Sequence, residues 1–341
     1  MKLGERLVLD TSLTDENMVF LKQLGVNYLT VSFLEMGSEE PKAKSALSGL
    51  REKPYYETKD LAALKKWVGS RGFGLSAISS APFRHWGKIM LGEPGRDEQI
   101  ENWNKTLRNM GKAGIPMLQY SWVLNAGARI PLWRTSAENV GRGGTKIVRF
   151  DYKAAKNAPL TNYGEISERK MWDGLTYFLK AVIPVAEEAG VRMVMHPCDP
   201  QVPKLAGIAR IIRSVESYDR VFKITPSEAN AMTFCLGCFA QMTDMPGVFK
   251  AIRHFGRQGR IGYVHFRGVR GTMEKFDEVF PDEGKLDMIK TAKVLKQSGY
   301  DGIIQPDHAP HTTGDTEYGH ISHAFQIGYL KGVLQGAGAL D

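Results

Sequence analysis

The sequence is poor in cysteine, with three residues (Cys198, Cys235 and Cys238) in a chain of 341. Three cysteines cannot all pair within one chain, and the chain is much larger than the small domains that disulfides hold together. We therefore expect reduced thiols. A chain of this length can bury a substantial hydrophobic core, so we expect it to fold without such links.

Long apolar runs are missing as well. No segment approaches the roughly 20 consecutive apolar residues that a membrane-spanning helix requires. The first ten residues, MKLGERLVLD, are too charged and too short in their apolar run for a secretory signal. These absences predict a cytoplasmic protein that does not enter a membrane.

Clustered positive charge is the third missing feature. The chain has 45 Lys and Arg residues against 37 Asp and Glu residues, a formal net charge of +8, without a long Lys/Arg run. A nucleic-acid footprint is normally clustered, so the dispersed excess argues against a nucleic-acid partner. It favours a small anionic substrate drawn into a positive cleft, with a merely basic surface as an equal alternative.

Short β-rich segments alternate with amphipathic helical segments from end to end. We predict eight strands, at Arg6–Ser12, Val26–Phe33, Phe73–Ser80, Ile115–Val123, Val191–Pro197, Val221–Thr225, Ile261–Gly268 and Gly302–Gln305. Apolar residues at three- and four-residue spacing predict helices between them, at Asp15–Leu24, Lys59–Gly69, Asp97–Gly111, Lys170–Ala189, Ile208–Ser217, Gly247–Phe255 and Leu286–Ser298. Several of these helices end at a glycine just before the next strand, as returning strands require.

This alternation predicts a (β/α)8 barrel, that is, an α/β TIM barrel. We expect a single domain over residues 1–341, with insertions at about 34–57 and 124–166 on the catalytic face. An open doubly wound sheet is the alternative fold. It would normally carry a glycine-rich phosphate turn after its first strand, and Asp10-Thr11-Ser12-Leu13 offers none.

Four residues of the metal-ligand type end apolar segments in the C-terminal half. They are His196 after VRMVM, Cys235 in MTFC, His265 after IGYV and Asp307 after GIIQP. The carboxyl ends of barrel strands converge on one face, so these four side chains can meet. Two imidazoles, a thiolate and a carboxylate suit a divalent cation such as Mn²⁺, Fe²⁺ or Zn²⁺. A lone His or Cys at a strand end usually only packs, but four in corresponding places predict a metal site.

Residues beside these ligands suit further chemistry. His308 follows Asp307 directly, and a histidine that titrates near neutral pH beside a metal ligand is suited to proton transfer. Arg267 lies two positions beyond His265, on the same side of a strand. There it is placed to hold a substrate carboxylate through two hydrogen bonds, with a salt bridge to a neighbouring loop as an equal alternative.

The segment Cys235-Leu236-Gly237-Cys238 has the spacing of a redox pair or of half a zinc site. A redox pair would need a thioredoxin-like setting, which the sequence does not have. A structural zinc site that recruits Cys198 as a third thiolate is a less favoured alternative.

These segments resemble the mannonate dehydratase family, metal-dependent sugar-acid lyases with a barrel similar to that of xylose isomerase. The resemblance covers most of the chain and is carried by Ala77-Ile78-Ser79-Ser80-Ala81-Pro82, Trp133-Arg134-Thr135, the run from Phe178 to Glu188, Ser227-x-Ala229-Asn230 with Thr233-Phe234-Cys235-x-Gly237, Val264-His265-Phe266-Arg267, Phe276-x-Glu278, the run from Asp282 to Met288, and Pro306-Asp307-His308. It implies a divalent metal, usually Mn²⁺, on His196, Cys235, His265 and Asp307. The substrate-binding residues that we predict are Arg267, Arg134 and Asn230.

The sequence departs from this family at several positions. The family usually has Asp at Cys198, Ser at Cys238, Asn at Gly268, Arg at Gln305 and Gly at Ala309. Its proton-transfer tyrosine falls at Ala324, which cannot carry a proton. We expect His323 or Tyr318, which lie in the same polar segment, to substitute for it, and we favour His323.

The sequence therefore predicts a metal-dependent dehydratase that converts a sugar acid such as D-mannonate to a 2-keto-3-deoxy acid, with His308 moving a proton. We expect it to work as a homo-oligomer. One alternative is a metal-dependent sugar isomerase or epimerase of the xylose-isomerase-like superfamily, which the missing tyrosine favours modestly. The other is a non-catalytic zinc or sugar-binding protein, which a titratable histidine beside an open metal site argues against.

Overall fold

A computed structural model describes residues 1–33, 48–50, 52–79, 85–124 and 134–341. In chain order its strands are β1 (Lys2–Val8), β2 (Tyr28–Ser32), β3 (Gly74–Ser79), β4 (Met117–Ser121), β5 (Ser136–Val140), β6 (Lys146–Asp151), β7 (Arg192–His196), β8 (Lys204–Leu205), β9 (Ile208–Ala209), β10 (Asn230–Cys235), β11 (Ile261–Phe266), β12 (Gly268–Thr272), β13 (Lys275–Val279) and β14 (Ile303–Pro306).

Helices follow most of the barrel strands. They are α1 (Asp15–Gln23), α2 (Thr58–Ser70), α3 (Gly87–Leu91), α4 (Arg96–Ala113), α5 (Tyr152–Ala155), α6 (Glu168–Glu188), α7 (Val215–Ile224), α8 (Leu236–Met242), α9 (Met245–Arg257), α10 (Met288–Gln297) and α11 (His320–Gly336). Short 3-10 turns lie at Ser48–Leu50 and Arg142–Gly144. Within the described residues, no helix is both long and apolar enough to cross a membrane.

Eight parallel strands close into a barrel in the order β1-β2-β3-β4-β7-β10-β11-β14, with β14 pairing back to β1. This confirms the predicted (β/α)8 barrel. A small apolar cluster fills the barrel interior, where Ala77, Val194, Tyr263 and Ile303 meet. The larger core lies between the barrel wall and the surrounding helices. The carboxyl ends of all eight strands therefore open on the same mouth.

The sixth barrel strand lies where the sequence patterns were misread. The segment Val221–Thr225, predicted as a strand, lies mostly in helix α7, and the helix predicted at Ile208–Ser217 is wrong. A capping box fixes the start of α7, because the Ser214 hydroxyl accepts a hydrogen bond from the Ser217 backbone N–H while the Ser214 backbone N–H donates to the Ser217 hydroxyl. The strand that follows is β10, which ends at Cys235 as the metal-site prediction requires.

A four-stranded antiparallel sheet, in the order β12-β13-β6-β5, stands beside the barrel mouth. It joins the segment after β4 to the segment after β11, and it occupies part of the predicted insertion at 124–166. Of the two predicted insertions, residues 34–47, 51 and 125–133 lie outside the described residues, as do 80–84. The single-domain organisation stays a prediction.

Candidate metal centre

The four predicted metal ligands lie together at the barrel mouth. His196 and Cys235 are the last residues of β7 and β10, His265 is the penultimate residue of β11, and Asp307 directly follows β14. In the sheet register Cys235 lies opposite His265. One ligand atom from each of the four lies within 4.8 Å of the others. We call these residues the quartet.

Asp307 presents one carboxylate oxygen to His265 and Cys235. Its Oδ2 lies 3.4 Å from Nδ1 of His265 and 4.0 Å from Sγ of Cys235. The rings of His196 and His265 are 5.1 Å apart at their centroids. Nδ1 of His196 lies 2.8 Å from the Pro197 carbonyl, which fixes the ring and leaves its other nitrogen to coordinate.

The burial of the quartet fits a bound cation. Cys235, His265 and Asp307 are almost completely buried. Among the described residues, neither ring nitrogen of His265 has a partner in hydrogen-bond geometry. Buried polar atoms normally have partners, so these nitrogens, which lie beside the Cys235 sulfur and the Asp307 carboxylate, fit a metal site.

The pKa shifts of the quartet residues also fit a bound cation. Burial raises the pKa of the Cys235 thiol, but contacts with Cys238 and His196 outweigh it and hold that pKa well below the usual range. Burial also raises the pKa of Asp307, yet His265 and His308 hold it well below the usual range. Burial lowers the pKa of His265, and Asp307 outweighs it, raising the pKa to about 9. A divalent ion bound here would replace the positive charge of a protonated His265 and release that proton.

A second cluster lies beside the quartet, and we call it the arginine network. It consists of two guanidiniums and two carboxylates: Arg134, Arg267, Asp199 and Glu278. Asp199 Oδ2 lies 2.7 Å from Nη1 of Arg267 and 2.9 Å from Nη2 of Arg134. Nε of Arg134 donates to Glu278 Oε1 at 3.0 Å, and Arg267 donates to the same oxygen. The two charges of each sign balance within the cluster.

The arginine network decides between the two interpretations of Arg267. Its side chain is fully buried, and both terminal nitrogens are engaged by carboxylates. The structure therefore has the salt bridge to neighbouring loops, which was the alternative to a grip on substrate. Arg134 forms salt bridges with the same two carboxylates, those of Asp199 and Glu278. Gly237 makes room for Arg267, because a Cβ there would lie 2.8 Å from its Cδ.

The network keeps its acids ionised. Burial raises the pKa values of Asp199 and Glu278, but Arg134 and Arg267 outweigh it and hold both pKa values well below the usual range. A neutral carboxyl group here would leave a buried guanidinium uncompensated. The charges of the network therefore balance within it, although Asp199 Oδ1 and Arg267 Nε have no hydrogen-bond partner among the described residues.

His308 connects the two clusters. Its Nδ1 lies 3.0 Å from Glu278 Oε1, and its Nε2 lies 3.7 Å from Oδ1 of Asp307. Its backbone is left-handed, with φ of 57°. Gln326 donates to its carbonyl oxygen at 3.2 Å, which helps to hold this turn. With 37% of the side chain exposed, the ring can reach both solvent and a molecule in the barrel mouth.

His323 and Tyr318 form a separate pair. Their rings stack with centroids 4.6 Å apart and an interplanar angle of 3°. Nδ1 of His323 lies 3.4 Å from Oε2 of the buried Glu5. Burial lowers the pKa of His323, but Glu5 outweighs it and raises that pKa, whereas burial raises the pKa of Tyr318 well above its usual value. Within the described part of the chain, neither residue contacts the quartet.

Asn230 requires a correction. It is the first residue of β10 and so lies at the opposite end of that strand from Cys235. Its Nδ2 donates to the carbonyl oxygens of Val221 and Thr225, each at 3.1 Å. The side chain joins the end of α7 to the barrel, and the predicted substrate-binding role is wrong.

Two residues of the site were not singled out in the sequence. Glu278 appeared only within a family motif, although it supports His308. Arg6 was placed at the start of the first predicted strand, whereas β1 runs from Lys2 to Val8 and brings Arg6 close to the mouth. Its Nη2 lies 3.4 Å from Oδ1 of Asp307.

The remaining cysteines lie outside the quartet. Cys198 and Cys238 are buried free thiols, and burial raises the pKa of each. Cys238 Sγ lies 3.8 Å from Nη1 of Arg267, so it packs against the arginine network. Among the described residues, neither belongs to a group of potential metal ligands. A three-thiolate zinc site therefore has no support.

The family model of D-mannonate dehydratase matches residues 21–159 and 154–339. The chain belongs to the D-mannonate dehydratase family. A mannonate dehydratase of Streptococcus agalactiae serotype III (strain NEM316) is 29% identical over 337 residues, covering 89% of this chain and 94% of the relative. One of Oceanobacillus iheyensis is 30% identical over 346 residues, covering 88% and 93%.

Solved structures agree with this placement. The crystal structure of mannonate dehydratase from Streptococcus suis serotype 2 has a TM-score of 0.82 and 26% identity, covering 100% of this chain and 95% of that one. A D-psicose 3-epimerase from Clostridium cellulolyticum H10 has a TM-score of 0.61 with 14% identity, covering 98% and 99%. The epimerase shares the fold alone.

Two of the positions at which we expect the sequence to depart from the family can be located in the structure. Gln305 is buried in β14, one inward-facing position below Asp307, and its Oε1 accepts a hydrogen bond from Thr30 at 2.9 Å. Ala324 lies half-buried in α11, next to His323. Gln305 therefore lies one layer below the quartet, whereas Ala324 lies with the separate pair of His323 and Tyr318.

Proposed function

We propose that this chain is a metal-dependent dehydratase that removes water from a sugar acid of the D-mannonate type, giving a 2-keto-3-deoxy acid. The observation that carries the proposal is the position of Asp307, whose Oδ2 lies beside His265 and Cys235 of the quartet while its Oδ1 lies 3.7 Å from His308. A cation site and a proton carrier are what an elimination next to a carboxylate needs. Membership of the D-mannonate dehydratase family supports the reaction class.

We infer that His196, Cys235, His265 and Asp307 hold one divalent ion, with Mn²⁺ first and Fe²⁺ or Zn²⁺ as alternatives. The mixed set of nitrogen, sulfur and oxygen donors suits these borderline cations. When bound, the ion would supply Lewis acidity toward the oxygens of the sugar acid.

His308 is the proposed proton carrier. Glu278 accepts from Nδ1, so Nε2 is directed toward Asp307 and the open mouth. Arg134 and Arg267 were predicted to bind the substrate carboxylate, but both are committed to Asp199 and Glu278. We propose instead that they fix Glu278 and, through it, the orientation of His308.

We keep His323, ahead of Tyr318, as an auxiliary proton-transfer group. His323 lies next to Ala324, the position of the family tyrosine. The hydroxyl of Tyr318 is buried and has no hydrogen-bond partner among the described residues. Glu5 contacts His323 and is the neighbour of Arg6 in β1. Because Arg6 reaches Asp307, the pair of His323 and Tyr318 lies on the opposite face of β1 from Asp307.

A sugar isomerase or epimerase is the second candidate. The sequence has alanine at position 324 and a neutral Gln305, where the family resemblance implies tyrosine and arginine. An isomerase or epimerase would return the proton to the substrate without losing water. Proton exchange distinguishes the two candidates. Incubation in D₂O with exchange into recovered sugar, without 2-keto-3-deoxy product, would support the isomerase or epimerase.

The test is an assay of the Mn²⁺-loaded protein with D-mannonate and a panel of related aldonates, following 2-keto-3-deoxy acid. Product from wild type supports the dehydratase, and its absence across the panel contradicts it. Arg169→Gln, at a side chain that is 91% exposed, is the control variant and should behave as wild type.

We further propose that the chain acts in the cytoplasm as a single-domain homo-oligomer. Light scattering of the purified protein measures the oligomeric state, and a monomeric mass would contradict this part of the proposal.

A further inference from the structure

Alternate residues of β1 face opposite sides of the barrel wall. A Cβ on Gly4 would meet Cγ2 of Ile303 at 2.6 Å, so Gly4 faces the interior cluster that contains Ile303. Glu5 points the other way, toward His323 of α11. Arg6 faces inward again and reaches Asp307, which places a guanidinium inside the barrel mouth.

Asp307 has two distinct carboxylate edges. Oδ2 faces His265 and Cys235, that is, the quartet. Oδ1 faces Arg6 at 3.4 Å and His308 at 3.7 Å. Arg6 therefore lies beside the proton carrier and outside the ring of ligand atoms, where a substrate bound at the mouth would meet it.

Arg6 differs from the two arginines of the network in what surrounds it. The side chains of Arg267 and Arg134 are 0% and 13% exposed, and each is paired with both Asp199 and Glu278. Arg6 is 34% exposed, and among the described residues its guanidinium pairs with Asp307 through Nη2. Guanidinium carries five N–H donors in a fork, so this contact leaves donors for a second carboxylate.

The residue beneath Asp307 in β14 is not a competing cation. Gln305 is neutral, buried and hydrogen-bonded to Thr30. Its Cβ lies 3.8 Å from where a Cβ on Gly4 would stand, one inward-facing layer beneath Arg6 and Asp307. Arg6 therefore supplies a positive charge to the upper layer, above a neutral Gln305.

We propose that Arg6 binds the carboxylate of the substrate and selects acids over neutral sugars. This inference rests on the proposed function, because it takes the substrate to be a sugar acid. Guanidinium and carboxylate match as a two-bond pair. The acidic hydrogen of a sugar acid is on the carbon next to the carboxylate. A carboxylate held by Arg6 therefore brings that carbon to the edge of Asp307 beside His308.

The experiment measures binding by calorimetry, with D-mannonate and neutral D-mannose, to the Mn²⁺-loaded protein. Wild type, Arg6→Gln, Arg6→Lys and the control Arg169→Gln are compared, with metal content and circular dichroism recorded for each. Loss of a hydrogen-bonded charged partner weakens binding by roughly 10- to 100-fold. We expect that loss for D-mannonate in Arg6→Gln, and a smaller one in Arg6→Lys, which keeps charge without the fork.

D-mannose binding, weaker than that of D-mannonate in wild type, should be unchanged by either variant, as should metal content. Unaltered D-mannonate affinity in Arg6→Gln would overturn the proposal, and so would a wild type that binds both sugars equally or neither. Loss of metal in Arg6→Gln would show that Arg6 acts through Asp307, which also overturns it. If Arg6→Gln does not fold, the D-mannonate affinity of Arg6→Lys is used instead, and an unaltered affinity in that variant would overturn the proposal. Wild type that binds D-mannonate through Arg6 but forms no 2-keto-3-deoxy acid would refute the proposed dehydration alone.

Discussion

The quartet and the arginine network are neighbours with opposite electrostatic character. Both are buried and both gather charged groups from distant segments. In the network, two guanidiniums match two carboxylates at hydrogen-bond distance, and every charge has its partner. In the quartet, a thiolate and a carboxylate flank His265, whose ring nitrogens make no hydrogen bond among the described residues, although Nδ1 lies 3.4 Å from Asp307.

This difference separates a candidate binding site from its surroundings. Burial of a charge is costly unless it is paired, so a buried cluster with excess negative charge fits a cation, whereas a cluster with balanced charge stabilises the structure. His308 lies between the two clusters, with Nδ1 at 3.0 Å from Glu278 and Nε2 at 3.7 Å from Asp307. In our proposal the charge-balanced network therefore fixes the orientation of the proton carrier.

The largest effect should come from breaking the quartet. Cys235→Ser and His265→Ala should each lower metal affinity by more than about 100-fold, because the loss of outer partners alone costs roughly 10- to 100-fold. Metal analysis of the purified variants checks this. The matched control is Cys198→Ser, another buried cysteine, which should keep its metal. Full metal content in either quartet variant would contradict the assignment.

His308→Asn should keep the metal and lose turnover by about 100-fold or more, as for a missing acid–base group. Asparagine retains polarity without titrating near neutral pH. Turnover on the accepted sugar acid and metal content are measured together. His254→Asn, at a half-exposed histidine of α9, is the control. Near-normal turnover in His308→Asn would leave His308 as only a neighbour of Asp307.

Glu278→Gln tests the network. We expect a loss of about 3 kcal/mol in the free energy of unfolding, since one partner of a buried ion pair is removed. Asp277→Asn, which breaks the partly exposed pair with Arg149, should cost about 1 kcal/mol or less. Denaturant unfolding of both variants measures the difference. Equal losses would show that burial does not distinguish the two pairs.

The same variant should change the pH dependence of stability. The folded state holds the pKa of Glu278 below its usual value, so its contribution is complete above that value, about 4.3. The contribution is lost as pH falls below it toward the folded pKa. Melting temperatures from pH 7 to about pH 2 should therefore show the gap between wild type and Glu278→Gln staying constant at first and then narrowing below about pH 4. A constant gap would contradict the ionised state.

The smallest effects should come from His323→Ala and Tyr318→Phe. We expect turnover to fall by about 10-fold in the first and less in the second, below the range of a direct acid–base group. His323 contacts Glu5 and Tyr318, and not the quartet, among the described residues. A loss above 100-fold would make His323 a direct proton carrier, and unchanged turnover in both would remove the pair from the mechanism.

The barrel and the convergence of the quartet could be predicted from sequence, because ligand types at strand ends need only the rule that parallel strands share one mouth. Arg6 could not, since an error of four residues at the start of β1 moved it away from that mouth. Val221–Thr225 was misread because a short apolar run fits a strand or a helix equally well. The capping box at Ser214 was the signal that would have identified α7.

The arginine network was beyond prediction for another reason. Arg134 and Glu278 are 144 positions apart, and their contact depends on how two loops fold over the mouth. The sequence placed Arg267 correctly on the mouth side of β11 but did not reveal the two carboxylates that would occupy it. Tertiary packing determines which buried charges pair with each other, and the spacing of residues in the sequence does not reveal it.

The four-stranded sheet beside the mouth also bears on the order in which the chain refolds. The pairing of β6 with β13 includes the Arg149–Asp277 contact, which closes a loop of 128 positions. Strands β7, β10 and β11 lie within this loop. Long-range pairings form slowly, because loop closure costs entropy before contacts compensate. The sheet should therefore assemble after β7, β10 and β11 have paired within that loop. His308 gains its contact with Glu278 only with this sheet, so activity should return later than most of the secondary structure.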